Sequence, residues 1–207
     1  FIIWLSPVGV FCLIFSTFSS LGISIIFTLI NYFLIVVGVL IFHAVFTYSL
    51  LLTSLAKINP FIFFSKMKEA IIFAFSTSSS SATMPVTLKT VEEKLGVDKS
   101  VSSFCIPLGT TINMDGTAIM QGVATVFIAQ VYQVDLSMME YLMVIITATL
   151  ASIGTAGVPG VGLIMLAMVL QQVGLPVEGI ALIIGVDRLL DMLRTAVNVS
   201  GDATISC

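Results

Sequence analysis

Charge is scarce in this chain. Only 9% of its 207 residues are Asp, Glu, Lys or Arg, while 58% are hydrophobic. A soluble domain carries about a quarter charged residues, so that class is excluded. Histidine is rarer still, His43 standing alone. The three cysteines, Cys12, Cys105 and Cys207, are an odd and scattered set, two of them inside apolar runs. Neither a disulfide framework nor a His/Cys metal site can be built from them. His43, in an apolar run, reads as a buried helix–helix hydrogen bond rather than a ligand. No nucleophile–base pair, metal set or phosphate loop points to an enzyme, and the serine-rich stretches have no base near them in sequence. No basic patch supports nucleic-acid binding, and the net charge of −3 says little about partners.

What the chain has in abundance is apolar length. In lipid only helices and closed barrels satisfy the backbone. The apolar runs here are long and do not alternate, which argues against a barrel. The expectation is an all-α polytopic membrane protein, with the bilayer as its first partner. The chain begins with Phe1 inside an apolar run, with no signal peptide in view, and is expected to be the C-terminal part of a longer protein.

Against that background residues 187–202 stand out, with Asp187, Arg188, Asp191, Arg194, Asn198 and Asp202 in sixteen positions. A charge at the bilayer centre costs roughly 2.5–3.5 kcal/mol on insertion scales, so these groups must avoid lipid. Asp187, Asp191, Arg194, Asn198 and Asp202 step by 4, 3, 4 and 4. On a helix they fall within an arc of about 80°, with apolar residues covering most of the remainder. One reading is an interhelical salt bridge that glues a bundle. The other is a substrate or ion path, which intramembrane ionisable groups line more often.

Other polar interruptions follow the same logic. Phe1–Ile14 reads as part of a span, Ser16–Ser20 as a connection, and Ile25–Leu52 as a full span, followed by Lys57-Ile-Asn-Pro60. Ala70–Phe75 is apolar but too short to cross, and leads into a serine run, Ser76–Ser81, that ends at Pro85. That pattern predicts a re-entrant hairpin whose tip, 76–85, stops mid-membrane, where irregular backbone is tolerated only inside protein or beside a water-filled cavity. A plain surface loop is the competing reading. Asn113-Met-Asp-Gly-Thr117 breaks a span between 100 and 134, and Asp115 and Asn113 also read as caps of that break. Ser152–Gly162, dense in Gly and Pro, predicts a second tip between the arms Tyr141–Ala151 and Leu163–Val173.

Six of the eight basic residues, Lys57, Lys66, Lys68, Lys89, Lys94 and Lys99, bracket the first hairpin, and none lies between Ser100 and Val186. By the positive-inside rule the first hairpin opens to the cytoplasm and the second to the outside. An offset of 74 takes Ser81-Ala-Thr-Met-Pro85 to Thr155-Ala-Gly-Val-Pro159, Asn113 to Asp187 and Thr117 to Asp191. Two such units entering from opposite faces form an inverted repeat, a sequence pointer to a transporter's midplane site.

The serine-rich tip, the Asn113-Met-Asp-Gly-Thr117 break, the Gly-Thr-Ala-Gly-Val-Pro tip and the Asp191…Arg194-Thr195…Asn198…Asp202 helix together resemble the glutamate/aspartate transporters, the dicarboxylate/amino acid:cation symporters. The likeness covers essentially the whole chain. It implies two scaffold-side helices in 1–58, the fifth incomplete and the sixth. A transport core in 59–207 would hold hairpin 1 (59–99), broken helix 7 (100–134), hairpin 2 (136–176) and helix 8 (178–207), an elevator-type fold in a homotrimer of the plasma or inner membrane. The first four spanning helices are absent, and these 207 residues are not expected to transport alone.

Residue by residue, the resemblance implies that Arg194 takes a substrate side-chain carboxylate, for which a guanidinium fork is suited, and that Asp191 takes the α-ammonium. Asn198, Thr117, Thr195 and the backbone of Ser79, Ser80 and Ser81 would hold the remaining carboxylate oxygens, and Val158 and Gly162 would close over the ligand as an extracellular gate. It implies no covalent cofactor, and sodium as the coupling ion in three places. One is among Gly109, Asn113, Asn198 and Asp202. A second uses the carbonyls of Thr111, Ser152, Ile153 and Thr155. A third uses Asn113 and Asp115 with ligands from an absent helix. Arg194 favours an acidic substrate over neutral amino acids. Gln121 stands where proton- and potassium-coupled relatives carry a glutamate, which favours sodium drive alone. A proton-coupled glutamate carrier, a C4-dicarboxylate carrier and an ion channel are the alternatives.

Overall fold

The computed structural model describes residues 25–207 together with Phe15 and Ser19. The expected span Phe1–Ile14, most of the 16–20 connection and Cys12 lie outside the described residues. Those described are helical, with no strand among them.

The first helix, α1, runs over 25–56. It is α-helical over Ile25–Phe42 and Ser49–Leu51 and π-helical over His43–Tyr48 and Leu52–Ala56. It is the one helix among the described residues that is long and apolar enough to cross a membrane. Leu29, Tyr32, Val36 and Leu40 recur at helical spacing and are buried, while Phe27, Leu34, Ile35 and Phe42 face outward. That outward face suits hydrocarbon rather than water.

A helical hairpin follows. Asn59 caps α2 (Pro60–Thr77) by accepting from the Phe61 N–H, with Pro60 in the first position, where its missing N–H costs nothing. The chain turns at Ser78, whose φ of 53° is left-handed. Ser79 then caps α3 (Ser80–Thr90) by accepting from the Ala82 N–H, and a π-helical turn, Val91–Leu95, prolongs it to Gly96. The break is therefore Ser78 and Ser79 alone, not 76–85 as expected, and the first arm is 18 residues long rather than the short run 70–75. Serines 80 and 81 belong to the helix that Ser79 starts. Pro85 lies inside it, removing one backbone donor without ending the helix.

Asp98 caps α4 (Lys99–Ile112). The hydroxyl and then the backbone N–H of Ser100 hold the Asp98 carboxyl below its usual range. After a break at Asn113 and Met114, α5 covers Asp115–Val131. A capping box of Ser137 and Glu140 opens α6 (Met138–Ser152). The second tip, 153–160, leads into α7 (Val161–Gln172). Both α6 and α7 are apolar and shorter than a span. A single 3-10 turn, Val177–Gly179, precedes α8 (Ile180–Ser206).

Two apolar clusters hold these elements. One joins α1 with α5, α6, α7 and α8. The other joins α2, α3 and α4 to the far end of α8 through Val199 and Ala203. The last residues of α1 belong to both clusters, Tyr48 to the first and Leu52 to the second. α1 thus packs against elements of 59–207 in both clusters. Close backbone approach is built in at Gly109, where a Cβ would lie 2.4 Å from Asp202 Oδ1, and at Gly201, where it would lie 2.6 Å from Asn113 Nδ2. No larger side chain fits either place.

Candidate functional site

The polar stripe of α8 faces the two hairpin tips and the α4–α5 break. Ser80, Thr117, Val158, Gly162, Asp191, Thr195 and Asn198 line one small cavity together with Ser78, Met114, Thr155, Ala156 and Gly157. The space they leave is about 20 Å³, room for one water molecule. The tips close it. Ser79 Oγ donates to the Gly157 carbonyl at 2.6 Å and the Ser81 N–H donates to the same oxygen at 3.1 Å. Ser79 and Ser81 thus bind the opposite tip instead of lining the cavity, and Ser78, which the sequence reading passed over, lines it.

Arg194 lies beside this cavity and is 1% exposed. Its Nη1 donates to Asp187 Oδ1 at 2.8 Å and its Nη2 reaches Asp187 Oδ2 at 3.3 Å. Its other edge faces Asp191 Oδ1, with Nε at 3.1 Å and Nη2 at 2.9 Å. Asp191 Oδ2 accepts from the Gly160 N–H of the second tip at 3.0 Å. Every one of these ion pairs lies within α8, at i,i+3 and i,i+7. They join no two helices, so the bundle-glue reading has no geometry behind it. Asp187 was visible in the stripe, two turns before Arg194, but was given no role there.

Asn198 Oδ1 accepts from the Gly116 N–H at 2.8 Å, and its Nδ2 lies 3.4 Å from Thr117 Oγ1 and 3.1 Å from Met114 Sδ. Thr195 Oγ1 donates to the Asp191 carbonyl of its own helix. Gln121 Nε2 lies 3.4 Å from the Gly162 carbonyl, and its Oε1 is buried without a partner.

The oxygens expected to hold cations fall into three groups. Asn113 Nδ2 donates to Asp202 Oδ1 at 2.9 Å, against the bare backbone of Gly109 and one turn beyond Asn198, and Asp202 Oδ2 is buried without a partner. The Gly154 N–H donates to the Thr111 carbonyl at 2.7 Å, drawing the end of α4 onto the 152–155 segment that contains Ser152, Ile153 and Thr155. The Asp115 side chain reaches α1. Its Oδ2 contacts His43 Nε2 at 2.8 Å and the Tyr48 hydroxyl at 2.7 Å, while its Oδ1 is buried and unpartnered. His43 thus makes the interhelical hydrogen bond expected of it, and the part of Tyr48 had no sequence signal. Among the described residues no three His, Cys, Asp or Glu side chains cluster as metal ligands. A cation at these sites would therefore rely on backbone and amide oxygens with one carboxylate. Such neutral oxygens suit a hard ion of low charge.

A family model described as the sodium:dicarboxylate symporter family matches residues 1–207. The chain belongs to this family. It is 45% identical over 204 residues to an excitatory amino acid transporter of Caenorhabditis elegans, covering 98% of this chain and 41% of that protein. It is 45% identical over 205 residues to excitatory amino acid transporter 1 of Homo sapiens, covering 98% of this chain and 38% of that one. With excitatory amino acid transporter 2 of Mus musculus the figures are 43% over 204 residues, 98% and 36%. The chain spans about two fifths of the length of the curated relatives it matches. The family is one of symporters, and the outward apolar faces of α1, α4 and α6 accord with a membrane setting.

Proposed function

We propose that the chain is the substrate- and ion-binding part of a sodium-coupled symporter of acidic amino acids. The observation that carries this reading is the charge of the site. Asp187, Asp191 and Asp202 are buried, Asp115 is mostly so, and Arg194 is the only buried cation among the described residues. An acidic amino acid, with two carboxylates and one ammonium, adds a further negative charge. Buried charge must be paired, so such a substrate has to enter with cations, and the orphaned oxygens of Asp115 and Asp202 are where they would sit.

In the closed state Arg194 spends both edges on its own helix. The cavity opens on the Asp191 side, so a substrate carboxylate would take the Nε–Nη2 edge and release Asp191 to the substrate ammonium, while Asp187 keeps the guanidinium aimed from behind. Asn198, Thr117, Thr195 and the first tip would hold the second carboxylate. Gly109, Asn113, Asn198 and Asp202 would take one sodium, and Thr111, Ser152, Ile153 and Thr155 another. The second of these joins α4 to the second tip, so sodium there would favour closure of Val158 and Gly162 over the ligand. Gln121 cannot carry a proton as a carboxylate does, which supports sodium drive without proton or potassium exchange. The short helix pairs α2–α3 and α6–α7 would be re-entrant hairpins in a polytopic, trimeric, elevator-type carrier of the plasma or inner membrane. In that motion α1 would travel with the core it packs in, rather than with a scaffold.

A C4-dicarboxylate would leave Asp191 without an ammonium in a desolvated site, and tips bonded to each other favour occlusion over an open pore. The test is uptake of labelled aspartate by the full-length protein in liposomes. Accumulation that needs an inward sodium gradient, and neither a proton nor a potassium gradient, supports the reading. Uptake indifferent to sodium would overturn it.

A further inference from the structure

The π-helical turn in α1 has a consequence for Asp115. In a π-helix the backbone hydrogen bond runs from i to i+5, and such turns occur often at functional sites. His43 and Tyr48 are separated by five and bound the turn. In a continuous α-helix two residues at that spacing point about 140° apart. The wider turn brings them to one side, ring edge to ring face at 4.9 Å, and both reach the same oxygen, Asp115 Oδ2, at 2.8 and 2.7 Å. A carboxylate opposite Nε2 requires the proton on that nitrogen, so His43 donates. The Tyr48 hydroxyl also lies 3.1 Å from the Val197 carbonyl of α8 and packs over Gly201, where a Cβ would come within 2.7 Å of the hydroxyl oxygen. Tyr48 is thus fixed from two helices. With Oδ2 saturated by two donors, Oδ1 is left buried with no donor of its own. A lone carboxylate oxygen at that depth is costly unless something positive comes to it.

We propose that the π-helical turn at His43–Tyr48 is a positioning device that holds Asp115 with Oδ1 free as the anionic ligand of a sodium ion. The inference rests on the sodium-coupled reading and adds to it the two residues that aim the ligand. The π turn sets the register of the first half of α1 against its second half. Leu29, Tyr32 and Val36 can then pack on α5 and α8 while His43 and Tyr48 address Asp115. His43 and Tyr48 touch no substrate in this arrangement, and their effect is on cation affinity.

The experiment uses the full-length protein and two variants, Tyr48→Phe and Asp115→Asn, with their double mutant. The readout is the rise in melting temperature with NaCl at constant ionic strength in choline chloride, without substrate, because a ligand of the folded state stabilises in proportion to ln(1 + [L]/Kd). Tyr48→Phe keeps the ring and its packing and removes only the donor. It should raise the sodium midpoint about tenfold and leave aspartate affinity at saturating sodium unchanged. In the Asp115→Asn background the same change should have no further effect on the midpoint, the non-additivity expected of residues acting as one unit. An unchanged midpoint in Tyr48→Phe, or the same shift with and without Asp115, would overturn the inference while leaving sodium-coupled binding in place. A wild-type protein whose stability and aspartate binding ignore sodium would overturn both.

Discussion

At Arg194 the guanidinium divides its donors between Asp187 and Asp191, and this division sets what the site can do. Its five N–H groups allow two carboxylates at once, so a substrate carboxylate has to replace one of them. Asp191 is the one at the cavity and the one tied to the second tip through Gly160. Replacing Arg194 by alanine would leave two buried carboxylates without their partner, a cost of roughly 3–5 kcal/mol. The expected outcome for Arg194→Ala is a clearly lowered melting temperature and at least about a hundredfold weaker binding of acidic amino acids, read by thermal scans and equilibrium binding in sodium. Retained tight aspartate binding would remove Arg194 from the role given to it.

Among elements, the two tips are the parts whose geometry decides closure. Ser79 both starts α3 and donates across to Gly157. Ser79→Ala removes a cap and a tip-to-tip hydrogen bond, together worth about 1–2 kcal/mol. Substrate should bind roughly tenfold more weakly and dissociate faster, measured by stopped-flow release. At the water-facing start of α4, Asp98 gives a pH signature. Its carboxyl is held below the ordinary aspartate range by Ser100, so the cap is complete above that range and is lost as pH falls through the lowered value. Amide protection in the first turn of α4 should therefore drop only under acid conditions below the ordinary aspartate range. Asp98→Ala should lack that protection at neutral pH as well. The elements differ in how far they were legible. The second tip and the Asn113 break are written in Gly, Pro and Asn, residues whose backbone limits act locally, and they fall where the sequence put them. The tip of the first hairpin was drawn too wide because a capping serine and a helical serine look alike. The π-helical turn left no trace in composition, so Tyr48 was missed, whereas the polar stripe of α8 was legible from its spacing.

For the whole molecule, one arrangement accounts for the separate features. A helix with a polar stripe runs between two apolar clusters, two short helical hairpins meet over the stripe, and the outward faces of α1 and α6 are largely apolar. Of the 19 carboxylate and basic side chains, the buried ones, Asp187, Asp191, Arg194 and Asp202, gather along α8 with an excess of negative charge. Such a body can exchange partners within a closed interior and gain nothing from water there. The central claim is that acidic substrate and sodium share that interior and depend on each other. It is tested most directly by calorimetric titration of the full-length protein with L-aspartate, L-glutamate, succinate and L-serine, each with and without sodium. The account predicts tight binding of the acidic amino acids that disappears without sodium, and no binding of succinate or serine. Aspartate binding of equal strength in the absence of sodium would contradict it.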